Sequence, residues 1–205
     1  MHSSGGNTSS PPPVGHWVAE FEPDILTEGL DVVFCGLNYA ASAVKDGYHF
    51  SHRNNRFWPV LHQAGFTDVR LQPADQRRLL DYGCGLTAVV QRPTVSASEV
   101  SPREFRSAQP EFELKMRRYA PRTIAFLGKR ALACMLGTSN VAWGPYPPGF
   151  AGTRAWVLPN PSGLNIGFSL EQLVDAYSEL HQALSASEPG GRFSNAAVSR
   201  KIAPT

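Results

Sequence analysis

The chain has 205 residues and a mass of 22.3 kDa, with 42% hydrophobic and 18% charged residues and a formal net charge of +2. That length buries enough apolar surface for one domain without disulfides or a structural metal, and the composition excludes low-complexity, fibrous and membrane-spanning classes. The slight positive balance permits a nucleic-acid partner but does not demand one, because binding depends on where the Lys and Arg side chains lie.

Met1 to Val14 is rich in Ser, Gly and Pro and lacks a basic-apolar signal region, so residues 1–14 read as a disordered leader and the cytoplasm is the expected compartment. Asp31-Val-Val-Phe-Cys35 is a continuous apolar run of the kind a buried parallel strand requires. Asn54 or Asn55 can cap a helix through Phe57, Trp58, Val60, Leu61 and Ala64, stopped by Gly65. Leu86–Val90 is a second strand candidate. Ser101-Pro-Arg-Glu104 is a capping box that opens a helical region toward Tyr119, with a break expected near Pro110. Thr123–Leu127 reads as a third strand, followed by Gly128 and a helix over Lys129–Leu136. Ala155–Leu158 reads as a fourth strand. Ser169 and Gln172 cap a last helix with Leu170, Leu173, Val174, Tyr177 and Leu180 on one face. Residues 185–205 lose the apolar periodicity and read as a flexible tail, which leaves residues 15–184 as the domain.

Strands alternating with helices predict an α/β fold, a single domain with a central, mostly parallel sheet covered by helices on both faces. In such sheets the functional loops follow the carboxyl ends of the strands. Cys35, Cys84 and Cys134 are far apart and form no metal-ligand spacing, so buried reduced thiols are expected. No GxGxxG, Walker lysine or GxSxG elbow is present, which argues against nucleotide-binding Rossmann enzymes and α/β-hydrolases.

Two loops stand out: Gly36-Leu37-Asn38-Tyr39-Ala40-Ala41-Ser42, running on to Tyr48-His49-Phe50-Ser51-His52, and Pro159-Asn160-Pro161-Ser162-Gly163-Leu164-Asn165. Together they resemble the Gly-Ile-Asn-Pro-Gly and Asn-Pro-Ser-Gly-Leu motifs of the mismatch-specific uracil-DNA glycosylases, relatives of thymine DNA glycosylase in the uracil-DNA glycosylase superfamily. Similar stretches recur between them: Phe50–Trp58, Gln63–Asp68, Leu80–Tyr82, Arg92–Thr94 and Ala125–Lys129. The resemblance runs from about Asp31 to Leu184, and it implies the three-layer sandwich of that superfamily.

The resemblance implies a monofunctional glycosylase that hydrolyses the N-glycosidic bond of uracil and related damaged pyrimidines, such as ethenocytosine, in double-stranded DNA and prefers mispairs with guanine. Asn38 would position the attacking water. Taken alone, an Asn after a strand is most often a turn or cap residue, and an amide orients water without acting as a base, so a slow enzyme is expected. Phe50 would stack on the extruded base, with Leu37, Tyr39 and Ser42 completing the pocket. Leu164 would enter the base stack, with Asn160, Pro161, Ser162, Gly163 and Asn165 shaping the wedge and reading the opposite base. Arg53, Arg56 and Lys129 would contact phosphates. The resemblance implies no metal and no organic cofactor, and duplex DNA as partner of a monomer associated with the bacterial nucleoid.

Three departures bear on base preference. Tyr39-Ala40 replaces Pro-Gly, Ala43 stands where relatives often have Ser, and Asn165-Ile166 replaces a more usual Ser-Arg. Tyr39 is expected to narrow or reorder the pocket mouth. The competing reading is a non-catalytic DNA-binding protein that keeps the fold and has lost the chemistry. A lyase mechanism would need a nucleophilic amine near the sugar, which neither motif offers.

Overall fold

A computed structural model describes residues 20–186. The expected 1–14 leader and nearly all of the 185–205 tail lie outside the described residues. Five strands form one sheet in the order β2-β1-β3-β5-β4, where β1 is Val32–Ala40, β2 Cys84–Thr94, β3 Thr123–Leu127, β4 Gly144–Phe150 and β5 Thr153–Leu158. Four strands are parallel and β4 alone is antiparallel, paired with β5 at the sheet edge.

Helices cover both faces, as the uninterrupted apolar strands require. On one face α2 (Phe57–Gln63), a 3-10 helix (Pro73–Tyr82) and α5 (Leu170–Ala186) bury Phe34, Leu86, Ala125 and Leu158 beneath Phe57, Leu79 and Tyr177. On the other, α3 (Pro102–Tyr119) and α4 (Lys129–Leu136) cover Cys35, Leu37, Val89, Ile124, Phe126 and Val157 with Phe105, Phe112, Met116 and Leu132. The alternation within β1 is plain: Val32 and Phe34 face α2 and α5, while Cys35 and Leu37 face α3 and α4.

Several expectations need correction. The stretch Gly36–Ala40 is not loop, because β1 continues to Ala40 by pairing Asn38 with Val90 and Ala40 with Thr94. Ala41 and Ser42 then open a short helix, α1 (Ala41–Asp46), that no strong periodicity announces. Helix α3 runs unbroken through Pro110, because packing of Phe105, Phe112 and Met116 outweighs the lost backbone bond at this exposed position. The N-cap position of α2 is Arg56, which makes no side-chain cap bond; Asn55, one residue earlier, accepts the Phe57 amide on its Oδ1 at 3.0 Å. The Ser101–Glu104 capping box is present as expected. At the last helix, Ser169 Oγ accepts the Gln172 amide at 3.2 Å and Gln172 Oε1 accepts the Ser169 amide at 2.8 Å.

Candidate active site

The C-terminal ends of β1, β3 and β5 lie side by side, so the two motif segments flank the turn after β3. Gly128 occupies that turn with φ +108, a conformation that excludes most L side chains. Leu37 and Asn160 flank this turn, each at ordinary contact distance from where a Cβ would stand, so it is the backbone conformation and not the space that calls for glycine. The Gly128 amide bonds the Leu158 carbonyl at 2.7 Å, and Asn160 Nδ2 donates to the Leu127 carbonyl at 3.4 Å.

Asn38 shares the sheet face of Phe34, two pleats nearer the strand end. Its Nδ2 donates to the carbonyls of Tyr39 and Arg92, both at 3.1 Å, and to Thr94 Oγ1 at 2.7 Å. Two carbonyls can only accept, so the amide orientation is fixed by chemistry: NH2 toward β2, Oδ1 turned away. Oδ1 has no protein donor among the described residues and is available as an acceptor. The side chain therefore arrives pre-oriented. Thr94, buried at the end of β2, stands out in the sequence only as part of a similar stretch; its role follows from the β1–β2 pairing and carries no local signal.

Phe50 lies on the same side of the sheet. It stacks on Phe57 with centroids 4.0 Å apart, and Phe57 in turn packs edge-on against Phe34. Its φ of +53 is an uncommon conformation for a bulky residue, of the sort held in place at functional sites by the surroundings. Those surroundings are specific. Gln76 Oε1 accepts the His49 amide at 2.8 Å, Trp58 Nε1 donates to the His49 carbonyl at 3.2 Å, and His49 Nε2 meets the Glu22 carbonyl at 2.9 Å. Burial lowers the His49 pKa, so the ring is neutral near pH 7. The Phe50 amide has no protein acceptor among the described residues.

Tyr39 does not stand at a pocket mouth. Its ring is buried against Phe21 and His49, and its hydroxyl donates to Asp24 Oδ1 at 3.2 Å. Asp24 also accepts from Thr87 Oγ1 at 2.6 Å and from Lys115 Nζ at 2.8 Å, making a polar knot that anchors the segment before β1. Ser42 is half-buried in the first turn of α1.

The segment after β5 is a braced turn. Ser162 N bonds Asn160 Oδ1 at 2.9 Å, Asn165 N bonds the Ser162 carbonyl at 3.0 Å, and Asn165 Nδ2 bonds the Asn160 carbonyl at 2.8 Å. Arg56 holds it from outside. Its guanidinium donates to the carbonyls of Pro161, Ser162, Asn165 and Phe168 at 3.4, 2.9, 2.8 and 2.6 Å. Four of its five N–H groups are thus committed to the loop, so bracing this turn is the role the structure gives Arg56.

A Cβ at Gly163 would sit 2.5 Å from the Asn54 carbonyl, so only glycine lets the turn pack this closely on the chain's own backbone. Pro161 is buried, whereas Leu164 is 86% exposed. Arg53 is exposed beside Asn54, at the foot of the turn. Lys129 opens α4 and lies 4.5 Å over the Trp143 ring, with Trp143 edge-on to Phe168.

This fold and this pairing of loops define a three-layer α/β protein with a pre-oriented amide, a strained aromatic and an exposed apolar tip gathered at one end of a parallel sheet. The model of the uracil DNA glycosylase superfamily matches residues 23–181, and the chain belongs to that superfamily. The solution NMR structure of a candidate uracil DNA glycosylase from Methanosarcina acetivorans is similar in fold, at 18% identity and a TM-score of 0.50, over 80% of this chain and 98% of that one. Membership in the superfamily implies a hydrolase that acts on N-glycosidic bonds in DNA.

Proposed function

We propose that the protein is a monofunctional DNA glycosylase that removes uracil and related damaged pyrimidines, ethenocytosine among them, from mispairs with guanine in double-stranded DNA. The observation that carries this reading is the fixed amide of Asn38, whose NH2 is held by the carbonyls of Tyr39 and Arg92 and by the Thr94 hydroxyl and whose Oδ1 is left to hold a water. That water attacks the sugar C1′, the bond to the base nitrogen breaks, and the base departs as an anion. The proton released from water passes to solvent, because an amide is too weakly basic to keep it. The open N–H of Phe50 is a donor suited to the anion, and the Phe50 ring replaces part of the stacking lost when the base leaves the duplex.

Leu164 fills the gap in the stack, and Arg53 and Lys129 meet the flanking phosphates. Nothing in this scheme draws on a cofactor. With Tyr39 turned into the polar knot and the Leu37 side chain buried on the opposite sheet face, the pocket rim is formed by Ser42 and Phe50.

A single-turnover assay on duplexes with uracil opposite guanine, uracil opposite adenine and ethenocytosine opposite guanine tests the proposal, with Asn38→Ala alongside. Cleavage that favours the guanine mispairs and is lost in the variant is the expected outcome. Failure of the folded, DNA-binding wild type to cleave any of the three would favour the non-catalytic reading.

A further inference from the structure

The turn after β5 ends in two large apolar side chains. Leu164 is 86% exposed and Ile166 is 96% exposed, the latter more than any other large apolar residue among those described. Asn165 between them is drawn inward, its side chain bonded to the Asn160 carbonyl and its own carbonyl to Arg56, each at 2.8 Å. The Ile166 amide closes a tight turn onto the Leu164 carbonyl at 3.1 Å, which fixes the spacing of residues 164 and 166. The pattern is therefore out, in, out, on a support held by the four Arg56 bonds. A surface loop gains nothing for folding by presenting Leu and Ile to water from a rigid base. Such an arrangement is suited to entering an apolar space whose walls are stacked bases.

We propose that Ile166 is a second wedge: Leu164 occupies the place of the extruded base while Ile166 seats against the neighbouring base step, so that two apolar side chains hold the duplex open. This rests on the glycosylase reading above. Two consequences follow from the chemistry. An aliphatic side chain releases no counterions, so its contribution to binding is independent of salt, unlike that of a phosphate-contacting cation. It also matters only where there is a stack to invade, so a single-stranded substrate does not need it.

The test compares wild type, Leu164→Ala and Ile166→Ala on a uracil–guanine duplex and on the same uracil strand alone, under single-turnover conditions. A 2-aminopurine beside the lesion reports unstacking independently of cleavage. Ile166→Ala is expected to cleave the duplex about tenfold more slowly. It should lose most of the 2-aminopurine signal, cleave the single strand at the wild-type rate and keep the wild-type salt slope of binding. Its melting temperature should equal the wild type's, since an exposed side chain supports no core.

Equal duplex rates with an unchanged 2-aminopurine signal would overturn the proposal and leave the exposed pair to a protein partner. An equal loss on both substrates would also overturn it, because the defect would then lie in the pocket. If the wild type cleaves neither substrate, the glycosylase reading falls and the 2-aminopurine signal alone decides the wedge: loss in Ile166→Ala sustains it, and no change removes it.

Discussion

Thr94 is buried with its hydroxyl 2.7 Å from Asn38 Nδ2, and that bond is the shortest of the three that hold the amide. Replacing it by Val keeps the shape and β-branching and removes the acceptor. Two carbonyls still hold the NH2 group, so orientation is weakened and not abolished. Thr94→Val is expected to slow single-turnover cleavage about tenfold while leaving duplex affinity by anisotropy unchanged. An unchanged rate would mean that the carbonyls of Tyr39 and Arg92 suffice. Arg56 gives a sharper contrast, because two roles predict different measurements. Removing a cation that neutralises one phosphate lowers the slope of log K against log salt by about 0.9. Removing a brace instead costs stability, roughly 3 kcal/mol for several charge-assisted bonds to carbonyls. Arg56→Met is expected to melt earlier with an unchanged salt slope, and Arg53→Ala to show the reverse.

At the level of elements, strands and helices are legible in the sequence wherever two local signals agree. Thr123–Leu127 and Lys129–Leu136 are of this kind, because apolar period and Gly128 point to the same boundary. The end of β1 is not, because Asn38 and Tyr39 are neither β-branched nor alternating, and what extends the strand is its pairing with Val90 and Thr94 some fifty residues on. Strand β4 is hidden for a related reason. Its sequence, Gly-Pro-Tyr-Pro-Pro-Gly-Phe, is tolerated as a strand only at an edge, where missing donors face solvent. The inward turn of Tyr39 is equally hidden, because its partners Phe21 and Asp24 lie in a segment without any periodic signal.

Pro110 offers a direct measurement of how far packing overrides local preference. It is exposed and its helix does not break, so the cost of its missing N–H is borne by the packed face of α3. Pro110→Ala is expected to raise stability by about 1–3 kcal/mol, read from chemical denaturation, with cleavage unaffected. No gain would indicate that the helix already relieves the proline by local bending.

For the molecule as a whole, the candidate site depends on the segment before β1 staying docked. Glu22 and Asp24 tie that segment to His49, Tyr39 and Lys115, and His49 in turn sets the conformation of Phe50. Parallel strands put Asn38, Gly128 and Asn160 at one end, and this docked segment completes the support beneath them. Burial lowers the His49 pKa below its usual 6.5, while the nearby carbonyl of Glu22 and the carboxylates of Asp24 and Glu22 oppose the shift. Just below pH 6.5 the unfolded chain takes up a proton that the folded ring refuses, so stability is full above that pH and is lost as pH falls through it. His181, also lowered by burial against Phe66, adds a similar dependence. The drop in melting temperature between about pH 7.5 and about pH 5.5 should therefore be larger for the wild type than for His49→Gln, which keeps a donor toward Glu22 but cannot titrate. The Phe50 pocket should fail with the docked segment, so wild-type cleavage at the acid end should decline more steeply than that of the variant. Identical pH profiles for the two proteins would show that His49 is held without regard to its charge.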